Sequence, residues 1–242
     1  MRPHTPRASE RGAAILLAMM AMLLMTALGI GLMLTTTTET AIAGAYRTSE
    51  AARYAAEAVA ERALADLAAA GDWNLLLAGA SRSTFVDGAP GGSRVLSDGS
   101  TIALDEQVNI ANCQQATACT AAAMNATTAE RPWGANNPRW QLLAYAPLDR
   151  LVPGGNLGSP FYGIVLVADD PAETDGDPTR DGSDAGNPGS GIISIRAAAF
   201  GPRRAFRAIE LTVSRPVLSQ SADYNERAAP TGIQVRSWHE VR

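Results

Sequence analysis

Lysine is absent from this chain: all 20 basic residues among the 242 are arginine. Against 24 acidic residues they leave a formal net charge of −4, so the chain offers no general basic surface for nucleic acid. Arginine without lysine, amid abundant alanine and glycine, reads as a coding bias, and no function is drawn from it. Histidine is almost missing too. His4 and His239 lie near opposite ends of the sequence, where no histidine triad or zinc motif assembles from them. There is no P-loop, no dinucleotide fingerprint and no CxxC. Carboxylates do cluster, but no pattern places a hydrolase-like pair in a pocket. Together these absences argue against an enzyme.

Cysteine is scarce: Cys113 and Cys119, in "NCQQATACT", are the only two. They are too few for a structural zinc site, and neither histidine is near them in sequence. If the segment is exported, it lies in an oxidising compartment and a local Cys113–Cys119 disulfide is expected. Two free thiols in a loop are the alternative. Proline is missing from Ala8 through Gly79, which leaves a long stretch open to helix.

What fills the start of that stretch is apolar. Gly12 to Leu34 are 23 residues without a charge, more than the roughly 20 needed to cross a bilayer and longer than the core of a typical cleaved signal. Arg2, Arg7 and Arg11 precede it against the single Glu10. By the positive-inside rule the N-terminus stays cytoplasmic and the body is extracytoplasmic. After Thr35–Thr38 come mostly alanine, leucine, glutamate and arginine, all good helix formers. Arg53/Glu57 and Arg62/Asp66 sit four apart on one face, while Tyr46, Tyr54, Ala58 and Leu64 or Leu67 are expected to line another. Gly71 is the stop. Ala13 to Ala70 is thus expected to form one helix of 58 residues, half membrane span and half amphipathic spine.

The segments "RGAAILLAMMAMLLMTALGIG" and "TTTTETAIAGAYRTSEAARYAAEAVAERAL" resemble the PilX-type minor pilins of type IV pili, over the first quarter to third of the chain. The shared elements are an Arg-Gly leader before the apolar run, the Thr/Glu element "TTTET", the turn "IAGAYR" where the family usually has Gly-Asn, and "YAAEAVAERAL". The resemblance implies cleavage by a prepilin peptidase between Gly12 and Ala13, with Ala13 as the N-methylated mature terminus. It implies an inner-membrane precursor with a periplasmic body that later enters the pilus. Its partners would be the major pilin, other minor pilins and a tip adhesin. The fifth mature position is Leu17, where major pilins carry a glutamate that pairs with a neighbour's terminal amine. A subunit without that carboxylate is suited to a place near the fibre tip. The K pseudopilin of type II secretion shares the lack and is one rival. An anchored extracytoplasmic binding protein is the other.

Beyond Gly71 glycine, proline, serine and asparagine rise, and strand-like runs appear at Ser100–Ile110, Arg139–Leu148, Phe161–Asp169, Gly191–Phe200 and Arg203–Arg215. The last two meet at Gly201-Pro202 and read as a hairpin. The expected fold class is therefore α+β: a long N-terminal helix packed on a C-terminal antiparallel sheet, as in pilins. The expected organisation is a leader (1–12), a membrane and assembly half-helix (13–34), an amphipathic half-helix (35–71), a globular β domain (72–217) and a tail or added edge segment (218–242). Asp87–Ser100 reads as a Gly-rich loop, and Trp133 and Trp140 as core lids.

One segment is chemically unusual. "DDPAETDGDPTRDGSDAGNPGSG" places Asp169, Asp170, Glu173, Asp175, Asp177, Asp181 and Asp184 within sixteen positions. Calcium takes several hard oxygens from a flexible loop, which makes the first six candidate ligands. The EF-hand order is not present: with Asp175 first and Asp177 third, Arg180 stands where glycine is required. A solvated acidic loop, partly compensated by Arg180 and like the variable loop before the last hairpin in related minor pilins, is the alternative.

Overall fold

The computed structural model describes residues 11–152, 157–173, 175–182, 189–215 and 232–241. The leader up to residue 10, Asp184, and residues 218–231 and Arg242 of the expected tail lie outside them. The chain divides into two units, Met1–Thr48 and Ser49–Arg242. Helix α1 (Arg11–Ala69) begins in the first and ends in the second, within two residues of the expected bounds.

In the first unit the large apolar side chains of α1 are exposed: Leu17 is 67% exposed and Met25 74%. An 18-residue window averages a hydropathy of 2.4, long and apolar enough to span a membrane once. Threonine is a mediocre helix former, yet the "TTTT" run stays helical. The hydroxyls of Thr35, Thr36, Thr37 and Thr38 donate to carbonyls three or four residues back, which satisfies them without water.

In the second unit α1 is followed by α2 (Asn74–Leu77), the small hairpin β1 (Ser93–Val95) and β2 (Thr101–Ala103), then α3 (Leu104–Cys113) and α4 (Ala121–Met124). Five antiparallel strands then form a meander in chain order: β3 (Gln141–Pro147), β4 (Tyr162–Asp169), β5 (Ile192–Gly201), β6 (Ala205–Ser214) and β7 (Gln234–Val241). The α+β architecture is the one expected. α1 covers one face of the sheet, where Val165, Val167, Ile193, Ile195, Ile209 and Val213 are buried with Ala52, Ala56, Val59 and Ala63. Each large aliphatic side chain so buried contributes about 1.5–3 kcal/mol. The other face carries a second cluster, in which Leu104 and Ala111 of α3 meet Ile164, Leu166, Trp140 and Tyr162.

The buried face of α1 takes in only part of the face expected to carry Tyr46, Tyr54, Ala58 and Leu64 or Leu67. Tyr46 and Tyr54 are 66% and 60% exposed, and the face toward the sheet is alanine with Val59 and Leu67. The reason is close approach. A Cβ on Gly163 of β4 would stand 2.5 Å from Val59 Cγ2, so helix and strand sit too near for wide side chains. Ser100–Ile110 also differs: after three residues of β2 the chain turns into α3. There Leu104, Val108 and Ala111 share a helical face that joins the second cluster, and Asp105 and Glu106 favour the helix N-terminus. The Asp87–Ser100 loop contains β1 and is tied down by Asp87, which accepts from Tyr162 Oη and Arg94 Nε at 2.8 and 2.7 Å.

The expected hairpin is present. β5 and β6 pair over ten positions and close at Pro202–Arg204, where Arg203 and Arg204 have φ near +60°. Residues 234–241 form the edge strand β7. A row of polar side chains runs across its register: Arg196 faces Glu210 at 3.2 Å, and His239 faces the same carboxylate at 3.3 Å.

Candidate functional site

The acidic segment leaves the sheet at the last residue of β4. Asp169 pairs with Ile193 of β5 and is buried, so its carboxylate points into protein. A turn follows, closed by the Glu173 N–H donating to the Asp170 carbonyl at 3.0 Å. Asn136 grips this turn, its side-chain amide donating to the carbonyls of Pro171, at 2.8 Å, and Glu173. Glu173 is thereby drawn fully inside. From the other end of the segment, Asp181 is held by the Asn74 side chain, which accepts from its N–H at 2.8 Å. The Asp181 carboxylate accepts from the Gly191 N–H at 2.6 Å.

These anchors bring Asp169, Glu173 and Asp181 together, with one carboxylate oxygen of each within 4.8 Å of the others. Gly182 and Gly189 make the closure fit. A Cβ on Gly182 would lie 2.1 Å from Glu173 Oε1, and one on Gly189 would lie 2.6 Å from the Glu173 backbone. The Gly182 N–H also donates to the Glu173 carboxylate.

Burial, then the nearby Glu173 charge, pushes the Asp169 carboxyl up to about 9, although a backbone bond from Asp170 opposes this. Burial likewise raises Glu173, with Asp175 and Asp181 adding to it. Asp181 is raised by burial and eased by Gly191 and by the field of Arg215. Three carboxylates so placed are stable only with protons or a cation among them.

Of the six expected ligands the structure thus gathers three. Asp175 lies close enough to act on all three through its charge. Asp170 and Asp177 serve local turns, accepting from the Ala172 N–H and from Thr179. What sequence reasoning missed is the pair Asn74 and Asn136, which select the three from distant parts of the chain and have no signature in spacing.

Cys113 and Cys119 form the disulfide, which closes a short loop at the end of α3. Replacing both by serine is expected to lower stability by about 2 kcal/mol through a freer unfolded loop, read as a shift in the urea midpoint at unchanged m. Trp140 is buried as expected, whereas Trp133 is 45% exposed. Trp133 lines a polar groove of about 670 Å³ with Arg131, Asp170, Arg196 and Glu210. Gly12, Ala13 and Leu17 all lie in the first turns of α1. No protein family, curated protein or solved structure matches the chain.

Proposed function

We propose that this chain is a structural minor pilin of the PilX type, which primes or caps assembly of a type IV pilus. The observation that carries the reading is α1. One unbroken helix supplies an exposed apolar stretch and, further along, the alanine-rich face that packs on an antiparallel sheet. In this reading the N-terminus stays inside, a prepilin peptidase cuts between Gly12 and Ala13, and the periplasmic body waits on its membrane anchor. The mechanism is a transfer of packing. The side chains from Ala13 to Leu34 leave lipid for the helix bundle of the fibre, an apolar environment in both states. Leu17 brings no charge into that bundle, so it needs no terminal amine of a subunit above it. That favours a place near the tip, beside other minor pilins, the major pilin and an adhesin.

Leu17 favours one other reading equally, a K-like pseudopilin of a type II secretion system. Removing the chain from its host separates them. Loss of surface pili with protein secretion intact is expected, and restoring the chain should restore the fibres. Intact pili with lost secretion would identify the pseudopilin, and no change in either would contradict both.

A further inference from the structure

The cluster at the end of β4 packs three carboxyl groups together, two of them buried. Asp169 is 2% exposed, and its Oδ1 has no hydrogen-bond partner. That is an acceptor removed from water and left without a donor, on the rigid last residue of a strand. Such a group, facing two further carboxylates, marks a place for a cation. Among the described residues, Arg215 is a cation whose field reaches the cluster, acting on Asp181. Its guanidinium is already engaged, donating to the carbonyls of Ala70 and Gly71 at 3.2 Å each and lying 4.1 Å from the Trp73 ring centroid.

The spacing admits calcium. Two oxygens on one calcium, at about 2.3–2.6 Å each, stand no more than about 4.6–5.2 Å apart. The three carboxylates here lie within 4.8 Å. Magnesium binds at about 2.0–2.1 Å and keeps most of its water, so it suits a wet site with one or two carboxylates. A site of three converging carboxylates, two of them buried, suits calcium. We propose that Asp169, Glu173 and Asp181 bind one calcium ion, which ties the end of β4 to the segment leading into β5.

The test uses the full chain in detergent, stripped with a chelator and re-equilibrated with calcium chloride at neutral pH. Elemental analysis after gel filtration should give about one calcium per chain, and the melting temperature should rise on the order of 5 °C. Equimolar magnesium should give a smaller rise. Asp169→Asn should abolish the calcium-dependent shift, Asp181→Asn at the half-buried edge should weaken binding at least tenfold, and Glu61→Gln on the exposed side of α1 should change nothing. If Asp169→Asn fails to fold, the metal content of the wild-type chain and the Asp181→Asn titration decide the matter. A wild-type chain free of calcium at millimolar concentrations overturns the proposal and leaves protons as the compensation. Unchanged affinity in Asp181→Asn overturns it as well.

Discussion

Alanine at position 163 is expected to destabilise the protein by about 3 kcal/mol, the upper part of the range for over-packing a filled core. The added Cβ would stand 2.5 and 3.1 Å from the two methyl groups of Val59 and 3.2 Å from Leu148 Cδ1. None of these can move aside cheaply, because Val59 is completely buried and Leu148 is 3% exposed. Either the helix lifts from the strand or β4 bends, and both separate the alanine face of α1 from the sheet. The melting temperature should fall by roughly 6–12 °C. The decisive control is a double mutant. Val59→Ala alone opens a cavity and is itself destabilising, but combined with Gly163→Ala it should recover at least half of the loss, a coupling expected only of touching residues. Simple additivity of the two would mean that the contact is not as close as described.

Truncating Trp73 should cost as much or more, about 3–5 kcal/mol. Trp73 is 1% exposed, directly after the turn that ends α1. Its indole N–H donates to the Leu67 carbonyl at 3.1 Å, which satisfies an acceptor at the helix C-terminus, and Arg215 covers the ring. Trp73→Ala removes all three contributions and leaves a cavity among Leu67, Leu76 and Leu77. Trp73→Phe keeps an aromatic ring but loses the donor, so its cost should be smaller, about 1–2 kcal/mol. Urea denaturation of both variants measures the difference. Equal losses in the two would show that the bond to Leu67, which both variants lack, and not packing, sets the effect.

Much of this fold is legible in the sequence because its strongest elements are also its most periodic. α1 follows from 72 residues without proline and an uncharged run, and β4, β5 and β6 from short β-branched stretches separated by turn residues. β7 is faint for a physical reason: as an edge strand exposed along nearly its whole length, it has no buried face to impose alternation. Of the face expected to carry Tyr46, Tyr54, Ala58 and Leu64 or Leu67, the leucines join the core and the tyrosines do not, because pattern alone does not report how closely a helix lies on a sheet. Gly163, in an otherwise ordinary strand, was the residue that held that information. The acidic segment was visible as a cluster, but its seven carboxylates look alike in sequence. The choice of Asp169, Glu173 and Asp181 is made by Asn74 and Asn136, 107 positions from Asp181 and 37 from Glu173. Side-chain grips at that separation leave no local trace.

The account turns on α1 beginning its mature life at Ala13. Mass spectrometry of the N-terminal peptide from the membrane-extracted protein addresses this directly. The account predicts a terminus at Ala13 carrying one methyl group on its amine, with nothing retained from Met1 to Gly12. An intact Met1, or a cut beyond Leu34 that releases the body from its apolar segment, would contradict it.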